Sequence, residues 1–151
     1  MSHFRLQGQG IRVELSPEER MFLGDVLPLL AGIGAPGSDP AADRLNVPVY
    51  LDDPDSNDEW WRLMSGDLDE ARRADRAVFA RMVRAEAPVS LDDEEANAVL
   101  RVLNEARLAL GARFRIDVES DHDTLPEESR QVLDYLGWVQ EELTLELMKS
   151  L

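Results

Sequence analysis

Residues 91–114 read L-D-D-E-E-A-N-A-V-L-R-V-L-N-E-A-R-L-A-L-G-A-R-F, and the fold follows from how this stretch is read. Asp92 with Glu95 three residues on is a capping-box pattern, which predicts a helix start there. Gly111 is the expected left-handed terminator. Ala96, Val99, Leu100, Leu103, Ala106 and Leu110 recur at helical spacing on one side. Val102, Leu108 and Ala109 widen that side, leaving water a strip near Glu94, Arg101 and Glu105. A helix apolar over most of its circumference is covered from more than one direction. The rest of the chain is therefore expected to wrap around it.

With 151 residues and 44% hydrophobic content, the chain suits a single domain, 1–151, with room for a proper core. There is no apolar run of membrane-spanning length and no signal-peptide core at Met1-Ser2-His3-Phe4-Arg5, so a cytoplasmic location is expected. Cysteine is absent, which removes disulfides, thiol catalysis and thiolate metal sites. The segment 62–115 carries ten Arg against ten Asp or Glu. The formal charge of -15 therefore resides wholly in the flanking parts.

Phe4, Leu6, Ile11, Val13 and Leu15 alternate around Gly8-Gln9-Gly10, the pattern of a β-hairpin. Ser16, Pro17 and Glu19 then form a second capping box, opening a helix with Phe22, Leu23, Val26, Leu27, Leu29 and Leu30 on its apolar face. Pro28 should kink that helix or convert its last turn. Positions 32–46 have the composition of a loop. Gly32, Gly34 and Gly37 match G-x-G-x-x-G, but a helix precedes them and Pro36 and Pro40 follow, so no nucleotide site is expected.

Val47-Pro48-Val49-Tyr50-Leu51 reads as extended, and a short helix over about 56–65 carries Trp60 and Trp61. Asp52, Asp53, Asp55 and Asp58 lack Ca²⁺-loop spacing and read as a solvated turn. Gly66 is expected to break the chain before a second helix over 67–87, with Leu68, Ala71, Val78, Phe79, Met82 and Val83 inward. Arg73, Arg76, Arg81 and Arg84 lie on its other side, a basic face suited to an acidic partner or simply to water. Residues 115–118 read as extended and 119–124 as an acidic loop. A last helix starts near Pro126, with Val132, Leu133, Leu136, Val139, Leu143 and Leu147 inward. The expected architecture is all-α: about five helices bundled around the central one, with a short N-terminal β-hairpin.

Two charges interrupt apolar stripes: Asp75 among Leu68, Val78 and Phe79, and Arg107 among Leu100, Leu103 and Leu110. Buried charges need partners, so these two are expected to pair, with Asn104 and Gln140 completing a buried polar network that specifies the fold. His3 and His122 supply no catalytic triad or metal set, and neither a cofactor nor a metal is expected. Trp138, Leu145 and Met148 fall on the outer face of the last helix, where large apolar residues suggest a partner groove, a symmetry mate or cover by the hairpin or first helix of the same chain.

Leu103-Asn104-Glu105-Ala106-Arg107-Leu108-Ala109-Leu110-Gly111-Ala112-Arg113 resembles the central motif of the AosR oxidative-stress transcriptional regulators of actinobacteria. Residues 49–54 ahead of Glu59-Trp60, and Tyr135-Leu136-Gly137-Trp138-Val139-Gln140-Glu141-Glu142-Leu143, are similar to further family segments. The resemblance implies a mostly helical regulator that acts on transcription through protein partners, RNA polymerase or a sigma factor. The family's redox switch is a cysteine pair, which this chain lacks. The leading expectation is a non-catalytic regulatory or interaction protein with that switch missing. A homodimeric module without a transcriptional role is the first alternative, and an enzyme using Asp52, Asp53 or Asp75 is the second. The acidic balance also predicts no tight binding to DNA: duplex DNA at about 50 mM salt should run unretarded in a gel-shift assay with the protein alone.

Overall fold

The computed structural model describes residues 3–34, 37–46, 52–115 and 119–151. The expected extended segments at 47–51 and 116–118 lie outside those residues. Strands β1 (Phe4–Gln7) and β2 (Gly10–Val13) form the expected hairpin. Gly8 sits in its two-residue turn at φ 65°, a conformation that favours glycine. Helices α1 (Pro17–Gly24) and α2 (Val26–Ala31) follow, separated at Asp25. Pro28 accounts for the break, because a proline ring collides with the carbonyl four residues back, here Gly24.

The stretch expected to be a loop contains α3 (Pro40–Leu45). Asp39 caps it by accepting from the Ala41 amide, and Pro40 suits its first position. Helix α4 runs unbroken from Pro54 to Arg84, so the two helices expected on either side of Gly66 are one. An isolated glycine costs a long helix only about 1 kcal/mol, which flanking turns absorb. The acidic turn is its start: Asp53 caps it through the Ser56 amide. Its buried residues are Asp75, Phe79, Met82 and Val83, all in the C-terminal part, and Ala71, expected inward, is exposed.

A third strand, β3 (Val89–Leu91), pairs antiparallel with β2 in the register Ile11↔Leu91 and Val13↔Val89, giving the order β1-β2-β3. The approach is close at Gly10, where a Cβ would lie 2.6 Å from Ser90 Oγ. Helix α5 (Asp93–Arg113) begins with the expected Asp92/Glu95 capping box. Gly111 is not its terminator; it lies inside the helix, which ends with the Phe114 amide on the Leu110 carbonyl. The left-handed residue is Arg115, at φ 60°. A one-turn helix α6 (Glu119–His122) stands where an acidic loop was expected, and α7 (Glu127–Met148) completes the chain.

The molecule is mostly helical, with α5 at its centre as the sequence requires. Helices α2, α3, α4 and α7 and strands β2 and β3 all pack on α5. Phe4, Leu23, Phe79, Leu91, Val99, Leu103, Leu136 and Leu143 are fully buried together in one core. None of the described helices is long and apolar enough to cross a membrane. Because Gly66 is helical and nothing lies within 4 Å of a Cβ added there, Gly66→Ala should raise stability by about 0.5–1 kcal/mol. A terminator role would give the opposite sign, and thermal unfolding measures it.

Candidate interaction surfaces

The charge inside α4 finds a different partner from the one expected. Arg101 donates to Asp75 twice, Nε to Oδ2 and Nη2 to Oδ1, each at 2.8 Å. The Asp75 side chain is only 12% exposed, whereas that of Arg101 is 58% exposed. Asp75 is thus neutralised by a residue standing at the water's edge, and its carboxylate bond raises the Arg101 pKa above the ordinary value. With both oxygens engaged, Asp75 is poorly placed to act as a general base. Arg107 is exposed and lies on α7 instead. Its Nη1 donates to Gln140 Oε1 at 2.8 Å, and its guanidinium covers Gly137, where a Cβ would stand 3.5 Å from Cζ. Asn104 is exposed. The proposed network of Asp75, Asn104, Arg107 and Gln140 therefore separates into a buried-edge ion pair and a surface hydrogen bond.

Of the arginines on α4, Arg76 binds Glu105 of α5 at 3.1 Å, and Arg81 pairs with Glu95. Arg72 donates to the Leu45 carbonyl at the end of α3 and to Asn46 Oδ1. A cation at a helix C-terminus is favourably placed against the helix dipole. Arg73 and Arg84 remain exposed, with no hydrogen bond or ion pair to the described residues. Glu105 and Arg72 were not legible as anchors, because the only sequence signal is their position on the edge of an apolar stripe.

A cleft of about 850 Å³ opens between α4 and the α2–α3 region. Trp61, Leu68 and Ile33 line it together with Arg62, Arg72, Arg73 and Arg76 and the acids Asp58 and Asp69. Trp60 packs edge-on against Trp61, with ring centroids 4.8 Å apart. Next to it, Leu63 and Met64 are exposed on a part of α4 that buries no residue.

The glycine loop beside this cleft carries its own anion. Asp39 accepts from the Gly34 amide and from Arg113 Nη2, at 2.9 and 3.0 Å. The Gly34 amide bond, Arg113 and the Ala41 amide hold the Asp39 carboxyl at a pKa of about 2. Donors that would cradle a phosphate are thereby committed to a side chain of the same chain. Of the acidic residues 52–58, Asp53 is the α4 cap, and no group of three or more His, Asp or Glu among the described residues is arranged to hold a metal ion.

The second surface is the outer side of α7. Trp138, Leu145 and Met148 are 42%, 53% and 60% exposed. A shallow groove of about 580 Å³ runs along Trp138 and Leu145, lined also by Arg107, Gly137 and Glu141. Trp138 is held edge-on by His3, at a centroid distance of 5.6 Å, and flanked by Tyr135. His3 and the Tyr135 hydroxyl both bond Glu19 Oε2. Burial, then the charge of Glu19, raises the Tyr135 pKa. His122 reaches Asp134 of α7 at 2.9 Å.

Glu146 of α7 is buried, and no signal in the sequence assigned it a role. Its Oε2 accepts from the Leu6 amide on the open edge of β1 at 2.9 Å, and Oε1 binds Lys149. Lys149, then the Leu6 amide, lower the Glu146 pKa.

A family model described as "Domain of unknown function (DUF2017)" matches residues 1–147. No curated protein and no solved structure matches the chain. The two arginines give opposite expectations. Arg101→Ala should cost about 1–3 kcal/mol by stranding Asp75, a range reduced for the exposure of the pair. Arg107→Ala should change stability by less than about 0.5 kcal/mol. Urea unfolding of the two variants checks both.

Proposed function

The chain belongs to the DUF2017 family, and on that footing we propose that it is a non-catalytic regulatory protein that works by docking on protein partners. One observation carries this reading: the cleft along α4, where Trp61, Leu68 and Ile33 meet Arg72, Arg73 and Arg76, with Arg73 exposed and without a partner among the described residues. Aromatic and arginine side chains on a concave surface are the usual anchors of a protein interface. An exposed arginine beside Trp61 and Leu68 fits a segment that brings both a hydrophobic side chain and a carboxylate.

Within the family we place the chain beside the AosR regulators, on the likeness of Leu103–Arg113 and Tyr135–Leu143 to their motifs. The structure gives those segments concrete tasks that suit a common scaffold. Arg107 from the first rests on Gly137 and Gln140 from the second, and Arg113 ties α5 to the Asp39 cap. The partner consistent with this placement is bacterial RNA polymerase or a sigma factor. Without cysteine, the chain cannot respond to oxidants through a thiol pair.

The test is direct binding to purified polymerase core and sigma subunits, followed by sedimentation or interferometry. Arg73→Glu and Arg62→Glu, both at exposed positions lining the cleft, should each weaken binding about tenfold or more while leaving the helical spectrum unchanged. Failure of the wild-type protein to bind any of these subunits, or variants that bind as well as wild type, would count against the proposal.

A further inference from the structure

The outer side of α7 is a separate surface from the α4 cleft. Helix α7 already buries Leu133, Leu136, Val139 and Leu143 against the core, so its inward stripe is satisfied. Trp138 and Leu145 are seven residues apart, about 10.5 Å along the helix, and both stand on the opposite side. His3, just ahead of β1, and Tyr135 cover part of Trp138, and 42% of the residue stays exposed. Cover from within the chain is therefore incomplete. The His3 and Tyr135 contacts also fix the orientation of the indole, so little side-chain freedom remains to be lost when it docks.

We propose that the occupant of this surface is a second copy of the chain, its α7 packed antiparallel about a two-fold axis that passes near Glu141. The charges select this arrangement. An antiparallel register that sets Trp138 against the second copy's Leu145 also sets Asp134, one turn before Trp138, against the second copy's Lys149, one turn after Leu145. Both side chains are exposed and opposite in charge; within one chain Asp134 meets His122 and Lys149 meets Glu146, and each keeps a solvent-facing side for a second contact. Two-fold symmetry makes each of these contacts twice. Near the axis Glu141 would meet its own copy, a repulsion by itself. Arg107 lines the same groove, so the axis gathers two guanidiniums with two carboxylates. The Arg107 guanidinium rests over Gly137 at ordinary van der Waals distance. A parallel arrangement would oppose Asp134 to Asp134 and Trp138 to Trp138, losing both the charge pairing and the fit of a large ring against a smaller side chain.

The absence of cysteine makes the register directly readable. In the Asp134→Cys/Lys149→Cys protein, oxidation should yield a disulfide-linked dimer, released by reductant, and neither single variant should give it in comparable yield. Both positions are exposed, and because Lys149 partners the buried Glu146, circular dichroism checks the fold of each variant before oxidation. Sedimentation equilibrium of the wild-type chain should show a dimer at concentrations up to about 0.1 mM, and Leu145→Arg should weaken it about tenfold or more. A wild-type protein that stays a folded monomer overturns the proposal. So does a dimer that Leu145→Arg leaves intact, or one in which the cysteine pair forms no covalent link.

Discussion

Helix α5 must bury Ala96, Val99, Val102, Leu103, Ala106 and Ala109, and these point in several directions from one axis. No single neighbour can cover them. The chain answers with α4 and α7 along two sides, the sheet near the start of the helix and short helices elsewhere. The small residues decide how close each neighbour comes. Ala41 and Ala42 on α3 and Ala106, Ala109 and Ala112 on α5 are all buried, so a helix of six residues can sit close to α5 without large side chains between them. Gly111 faces α3 as well, with Arg44 Nη1 3.8 Å from where its Cβ would be, an ordinary contact distance that leaves room for a side chain.

The position and start of α5, the first capping box and the hairpin were legible because each is a local rule written in adjacent residues. The polar partners were not. Helical periodicity correctly put Asp75 inward and Arg101 outward, yet those two residues meet. A long arginine stem lies along the surface and returns its head over the edge of the core, so an outward residue can neutralise an inward one. Arg107 sits six residues further on, and its location depends on the rotation between α5 and α7, which no single-helix pattern contains. Strand β3 escaped notice for another reason. Three residues between Pro88 and the Asp92 cap are too few to display alternation, and only the open edge of β2 turns them into a strand.

Helix α4 is anchored unevenly. Phe79, Met82 and Val83 lock its last turns into the core, and Asp75 with Arg76 fixes the middle to α5. Ahead of these, Arg72 is held by the end of α3, and the first turns bury nothing. A helix of 31 residues is about 46 Å long. Its N-terminal portion is carried by internal helical hydrogen bonds and by the contact of Arg72 with the end of α3. The Trp61 side of the cleft thus extends from a base formed by the Asp75–Arg101 pair.

The bond from the Leu6 amide to Glu146 spans 140 residues of sequence. Strand β1 therefore reaches its finished state only when α7 has been made and has docked. Until then the hairpin presents an unpaired edge, and the apolar residues Phe4 and Ile11 lack part of their cover. Such a long-range closure is slow, because the entropy of bringing distant segments together is lost before the contact is gained. A translating ribosome would hold the hairpin in that open condition through most of synthesis. The last two turns of α7 thus act late in folding as the closure of the whole chain, and a chain truncated before Glu146 would have a core but an uncapped sheet.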